Sequence, residues 1–340
     1  MQEDLPSLQE YILAGPLLAS CGISHDSVSK GAPEWQRLGR QLALQMGFDH
    51  TSLNEAQRTR IYHYYLPVFL WCKRKLEQHQ QSGAAGAMVL GISAPQGCGK
   101  STLVEQLEAL FLWCEVPAAA VSIDDFYLSF AQQSELSAAH PDNPLLKLRG
   151  NAGTHDLAMG SATLQALKGL VDESQSAKIP RYDKSAHGGR GDQAPSGSWP
   201  VLKGPLQILF FEGWMSGFSP LPEAEVAAVD PALVPVNRQL AGYKEAWDQW
   251  VDNWLVVRIE DPQWVFKWRL QAEEAMIKKG KAGMSEDGIR DFVARFIPAY
   301  TAYLPGLYKN GPTTATAGNT LTIEVDVNRS PVSGQSHQEQ

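Results

Sequence analysis

The chain has 340 residues, 44% of them apolar, and a formal net charge of −8. That length admits two domains or one α/β domain with additions, and the apolar content suffices for a real core. The acidic balance argues against a nucleic-acid surface, which needs a basic excess or a clustered basic stripe; a few local cations would still serve a small anionic substrate. Cys21, Cys72, Cys98 and Cys114 have neither metal-site spacing nor the density of a disulfide framework, so a reducing compartment is expected. No apolar run reaches the roughly 18 to 20 residues that span a bilayer, and residues 1–10 carry acids where a signal or transit peptide would be basic. The expectation is a soluble, cytoplasmic protein with no nucleic-acid or membrane partner. Chloroplast stroma is the alternative if a transit peptide has been removed, and the oligomeric state, monomer included, stays open.

Residues 1–86 read as a helical extension, with Tyr62, Tyr65, Leu66, Phe69 and Leu70 at helical spacing and Pro67 as a kink. A P-loop unit follows over 87–327. Its first strand, 87–93, runs into GISAPQGCGKST (91–102), and Leu103, Leu107, Leu110 and Phe111 then recur at helical spacing. Strand, glycine-rich loop and helix together make a triphosphate cradle. Gly97 and Gly99 let successive N–H groups face phosphate oxygens, with Cys98, Lys100, Ser101 and Thr102 completing the nucleotide-binding run. Ala94 stands at the first position of the motif, where glycine is usual. In this reading Lys100 holds the β- and γ-phosphates of ATP and Ser101 ligates Mg²⁺.

Further core strands are expected at 117–124, 206–213, 254–261 and 321–327, all apolar runs without strict alternation, which suits a mainly parallel sheet between helix layers. The segment 131–205 is polar and glycine-rich, as a functional insertion would be. Residues 262–284 read as a helix and a basic turn that form a lid, with Lys267 and Arg269 over the phosphates. The competing reading has Trp264, Trp268 and Met276 packing that helix while the cations face solvent. A disordered tail is expected over 328–340.

Ligands of parallel α/β sheets collect outside the carboxyl ends of the strands. Asp124 and Asp125 sit at one such end and Glu212 at another. One acid there can hold Mg²⁺ and another can orient an acceptor hydroxyl; Asp125 can equally cap a turn. In the insertion, LRGNAGTHD (148–156) and IPRYDKSAHGGRGD (179–192) mix glycines with ionisable groups. Arg149, Arg181, Lys184 and Arg190 are either carboxylate partners or solvated surface cations. Cys98, among N–H donors at a helix start, is expected to favour the thiolate and so to be open to oxidation.

These residues resemble the phosphoribulokinase, uridine kinase and pantothenate kinase branch of P-loop kinases. Asp124, Phe126 and Tyr127 match its Asp-x-Phe-Tyr-like motif, and Glu212 with Gly213 its strand-terminal Glu-Gly. Pro180, Tyr182, Asp183 and His187 look like the substrate-contacting P-x-Y-D-x-x-x-H of uridine kinases, although some relatives are expected to carry Tyr at 187. Through SAPQGCGKST, SIDDFYL, LRGNAGTHDL, PRYDKSA, GRGD and FEGWMSGF, over about residues 50–330, the chain is most similar within that branch to plant-type D-glycerate 3-kinases. The resemblance implies the three-layer α/β/α fold and ATP-dependent phosphorylation of D-glycerate on its 3-hydroxyl, as in photorespiratory salvage. It further implies catalytic roles for Lys100, Asp124 and Arg269, and Mg²⁺ held by Ser101 and Glu212. Substrate contacts would come from Asp124, Tyr127, Arg149, His155, Arg181, Tyr182, Asp183 and His187. The rival readings are another kinase of the branch and, from a different class, a nucleotide-dependent switch; the polar insertion argues against a switch, which has less need of a second pocket.

Overall fold

The computed structural model describes residues 5–278, 280 and 284–333. Helices α1 (Leu5–Leu13), α2 (His25–Gln45), α3 (Glu55–Arg58) and α4 (Leu66–Gln81) make the N-terminal extension. A π-helical stretch, Thr59–Tyr65, precedes α4 and places Pro67 in its first turn, where a missing N–H breaks no helical bond. The chain continues through β1 (Met88–Ser93), α5 (Lys100–Trp113), β2 (Ala118–Ser122), α6 (Phe130–Ala139) and α7 (Leu157–Lys168). Four short strands follow: β3 (Ser176–Lys178), β4 (Tyr182–Asp183), β5 (Asp192–Gln193) and β6 (Val201–Lys203). Next come β7 (Ile208–Gly213), α8 (Glu223–Val229), α9 (Leu233–Ala246), β8 (Asn253–Ile259) and α10 (Trp264–Lys278). The last elements are α11 (Glu286–Ala294), α12 (Ile297–Asn310), β9 (Thr320–Val325) and β10 (Pro331–Val332).

The main sheet runs β10-β9-β8-β1-β7-β2, parallel throughout except for β10, which lies antiparallel on β9. This is the expected α/β/α P-loop architecture. Every residue of β1 and β7 is buried, which is why their sequences show no alternation: both faces meet helices. Helix α5 buries Leu103, Val104, Leu107, Leu110 and Phe111. The Phe69 and Phe111 rings lie 4.7 Å apart, and Phe111 reaches Phe210 at 5.9 Å, so the extension packs through α5 onto the sheet.

Two expectations change. The second strand stops at Ser122, and Asp124 stands in the 3₁₀ turn Ile123–Phe126, where the Ser122 hydroxyl accepts from the Asp124 N–H at 3.2 Å. The tail is not disordered from residue 328. A turn closed on Asp326 returns the chain as β10, because the Asp326 carboxylate satisfies the N–H groups of Asn328 and Ser330 at 2.8 and 2.9 Å. Residues 334–340 of that tail, and 279 and 281–283 of the expected lid, lie outside the described residues. Among the described residues no helix is long and apolar enough to cross a membrane.

Candidate active site

β1 leads the chain into the loop at 94–99, and α5 carries it away. Gly97 at φ +80° and Gly99 at φ +96° supply left-handed turns that side chains resist. The loop is braced from behind: the Ala94 N–H donates to the Gly213 carbonyl at 3.2 Å, and the Gln96 N–H to Tyr300 Oη at 3.0 Å. Ser101 and Thr102 are exposed at the first turn of α5, on the side where a helix N-terminus attracts anions.

Glu212, at the end of β7, is buried beside the loop. Its carboxylate pairs with the Lys100 ammonium, and the Ser101 hydroxyl donates to Oε1 at 3.3 Å. Burial pulls the Lys100 ammonium down to about 8, while the charge of Asp124 opposes that shift. A carboxylate and a hydroxyl converging at a phosphate loop are the hard oxygen donors that Mg²⁺ takes.

Asp124 faces the same mouth. Lys184 Nζ donates to its Oδ2 at 2.5 Å and the Tyr127 hydroxyl donates to the same carboxylate. Burial raises its pKa, but Lys184 and Lys100 outweigh that and hold the group below the ordinary carboxylate range. Asp124 is therefore ionised at neutral pH. Asp125 does both things open to it: it pairs with Arg181 at 3.1 Å and accepts from the backbone of Ser122 at the start of the 3₁₀ turn, while burial keeps its own pKa raised.

The insertion wraps this acid end. Tyr127 stacks on His155 at 4.5 Å and meets Tyr182 edge-on at 5.4 Å. His155 is 5% exposed, and burial lowers its pKa to about 3, so the ring is neutral. The Gly153 N–H donates to Tyr243 Oη at 3.0 Å, and Tyr243 lies 2.8 Å from His155 Nδ1. Assigning the phenol proton to Nδ1, the acceptor beside it, puts the ring hydrogen on Nε2. That Nε2 is buried and has no hydrogen-bond partner among the described residues.

Other residues of the expected site have partners within the chain. The Arg149 guanidinium donates to the carbonyls of Gly189 at 3.0 Å and Arg190 at 2.5 Å and lies 5.4 Å from the Tyr182 ring, so it ties down the loop at 184–191. Asp183 accepts on Oδ1 from the N–H and hydroxyl of Ser185 in a local turn. His187 stacks on Phe130 at 3.8 Å and bonds Asp192 at 3.1 Å. Arg269, expected over the phosphates, pairs with Glu273 and lies 4.8 Å from the Phe292 ring; a carboxylate 2% exposed requires such a cation. On the same helix Trp268 is buried as expected of a packing residue, whereas Met276 is exposed.

No family model matches the chain. It is 46% identical, over 329 residues, to the chloroplastic D-glycerate 3-kinase of Arabidopsis thaliana, covering 96% of this chain and 72% of the relative. The chain belongs to the D-glycerate 3-kinase family of P-loop kinases. An uncharacterized kinase of Schizosaccharomyces pombe is 35% identical over 76% of this chain and 95% of its own. The solved structure of a D-glycerate 3-kinase from Cryptococcus neoformans aligns with a TM-score of 0.72 at 31% identity, covering 79% of this chain and 97% of that one.

The surroundings of Cys98 in this kinase do not favour the expected thiolate. The thiol is 2% exposed, and burial pushes it up to about 11 against the downward pull of Lys100 and Arg329. A helix-start cysteine reacts as its thiolate only where solvent and reagent reach it. Iodoacetamide at pH 7.5 is expected to label the half-buried Cys114 first and to leave ATP turnover unchanged; loss of activity in proportion to labelling of Cys98, read by mass spectrometry, would contradict this. Sequence reasoning also missed Tyr243, Tyr300 and the Lys184 contact to Asp124, none of which lies in a motif with its partner.

Proposed function

We propose that this kinase transfers the γ-phosphoryl group of ATP to the 3-hydroxyl of D-glycerate, giving ADP and 3-phospho-D-glycerate. The observation that carries the reading is Asp124, ionised and aimed by Lys184 and Tyr127, across from Lys100 and Glu212. One side of the mouth suits a triphosphate and the other a primary alcohol. The loop N–H groups and Lys100 would position the triphosphate, and Ser101 and Glu212 would hold Mg²⁺, which when bound neutralises phosphate charge. Asp124 would orient the hydroxyl for in-line attack and receive its proton, so that the work is mainly positioning and charge neutralisation.

Among the expected carboxylate partners, Arg181 fits best. It gives Nη1 to Asp125 and the Pro180 carbonyl, its side chain is 40% exposed, and the far side of its fork remains available. Arg149 is committed to loop carbonyls, and His155, being neutral, would donate from Nε2 to a substrate oxygen. The names of the Arabidopsis and Cryptococcus relatives support D-glycerate over uridine, pantothenate or ribulose 5-phosphate. Photorespiratory glycerate salvage is one pathway that would use this reaction. The compartment would be one that keeps cysteines reduced, cytoplasm or chloroplast stroma, the latter supported by the chloroplastic relative.

Incubation with Mg²⁺, ATP and each of the four acceptors, with phosphorus NMR of the product, tests the reading. A 3-phosphate formed from D-glycerate alone is expected. A 2-phosphate would refute the regiochemistry, and faster turnover of another acceptor would refute the substrate.

A further inference from the structure

The residues that brace the phosphate loop from outside come partly from the far end of the chain. The Asp326 turn holds Arg329 at φ +64°, a left-handed conformation that a side chain adopts at a cost. From there Arg329 Nε donates to the Gly97 carbonyl at 2.7 Å and Nη1 donates to Gln271 Oε1 at 3.0 Å. The guanidinium lies 5.2 Å from the centre of the Trp268 ring. Trp268 in turn donates from Nε1 to the Val327 carbonyl at 2.7 Å, and its Cβ stands where a side chain on Gly97 would go. One planar cation thus touches the phosphate loop and α10 while its own hairpin is pinned by the same tryptophan. A lysine would be a poorer substitute, since only a guanidinium offers a donor fork and a flat face together.

We propose that Arg329 is a positioning residue for ATP: the β9–β10 hairpin acts as a clasp that fixes the curvature of the phosphate loop against helix α10. Holding the Gly97 oxygen fixes the peptide plane it shares with the Cys98 N–H, and with it the course of the loop on which the N–H groups would face the phosphates. The clasp acts on the phosphates and leaves the acceptor side alone.

The proposal rests on the loop binding ATP, so ATP binding by the wild-type chain is the reference; its absence would overturn both that reading and the clasp. Affinities for ATP, ADP and adenosine are measured by calorimetry or displacement on the full chain, with kcat and both KM values, for Arg329→Ala, Arg329→Lys and Trp268→Phe. Arg329→Ala is expected to weaken ATP and ADP by about tenfold or more, with adenosine affinity and the KM for D-glycerate within about twofold of wild type. Arg329→Lys, which keeps one donor for Gly97, is expected to fall between. Trp268→Phe, which keeps the ring and loses the bond to Val327, is expected to shift ATP in the same direction by less. Unchanged ATP affinity in Arg329→Ala would overturn the clasp, and so would an equal loss for adenosine, which would place Arg329 at the base. Should Arg329→Ala not fold, wild-type ATP affinity in both other variants would overturn it.

Discussion

Asp124→Asn is expected to keep ATP affinity within about twofold of wild type and to lower kcat by about two to four orders of magnitude, the usual contribution of a positioned acid or base. The substitution is nearly isosteric, so what it removes is charge. In the native site that charge is sustained against burial by Lys184 and Lys100. Asn cannot accept the proton of an attacking hydroxyl, and it leaves Lys184 without its carboxylate partner. The pH dependence follows with a definite sign. A carboxyl held below its ordinary value is ionised above that lowered value, so kcat should stay level as pH falls to about 5 and drop only below the ordinary Asp range near 4. Steady-state kinetics with D-glycerate test both parts. A kcat within tenfold of wild type, or an acid limb centred near pH 6, would remove Asp124 from the reacting hydroxyl.

What could be read from the sequence was chemistry whose partners are contiguous. Gly97, Gly99, Lys100 and Ser101 form one loop whatever the rest of the chain does, and the strand before it and helix after it announce themselves by apolar spacing. Asp124 and Glu212 were legible because strand ends in a parallel sheet share one edge. The register puts Ser122 beside Glu212, so the two acids emerge side by side. Orientation within the insertion was not legible. Asp183 and His187 occupy the positions of a substrate motif, and nothing in their spacing announces that the first accepts from Ser185 on Oδ1 or that the second stacks on Phe130 and bonds Asp192. Arg269 lies on a helix whose spacing cannot tell an arginine facing the phosphates from one facing Glu273 four residues on. The brace on the loop was beyond reach for a simpler reason. Arg329 and Gly97 are 232 residues apart, and His155 and Tyr243 are 88 apart, with no shared pattern to join them. A polar C-terminal segment reads as tail until a single aspartate is seen to close its turn.

The same brace makes the two loop glycines unequal, and Gly97→Ala is expected to be the more damaging substitution. Both glycines are left-handed, so alanine at either costs about 1–2 kcal/mol of backbone strain. At Gly99 the added methyl would meet nothing nearer than Arg329 Cδ at 3.8 Å, an ordinary contact. At Gly97 it would stand 2.7 Å from Trp268 Cβ, closer than two carbons can approach. Trp268 is 1% exposed and its indole is bonded to Val327, so it has nowhere to withdraw. Either the loop opens or α10 is displaced, at an overpacking cost of about 1–3 kcal/mol beyond the strain. ATP binding should weaken in both variants, because both glycines line the cradle. The melting temperature of the nucleotide-free chain separates them: at about 2–4 °C per kcal/mol for a domain of this class, Gly97→Ala should melt several degrees below Gly99→Ala. Equal melting temperatures would mean that Trp268 yields freely, and α10 would then not be fixed against the phosphate loop.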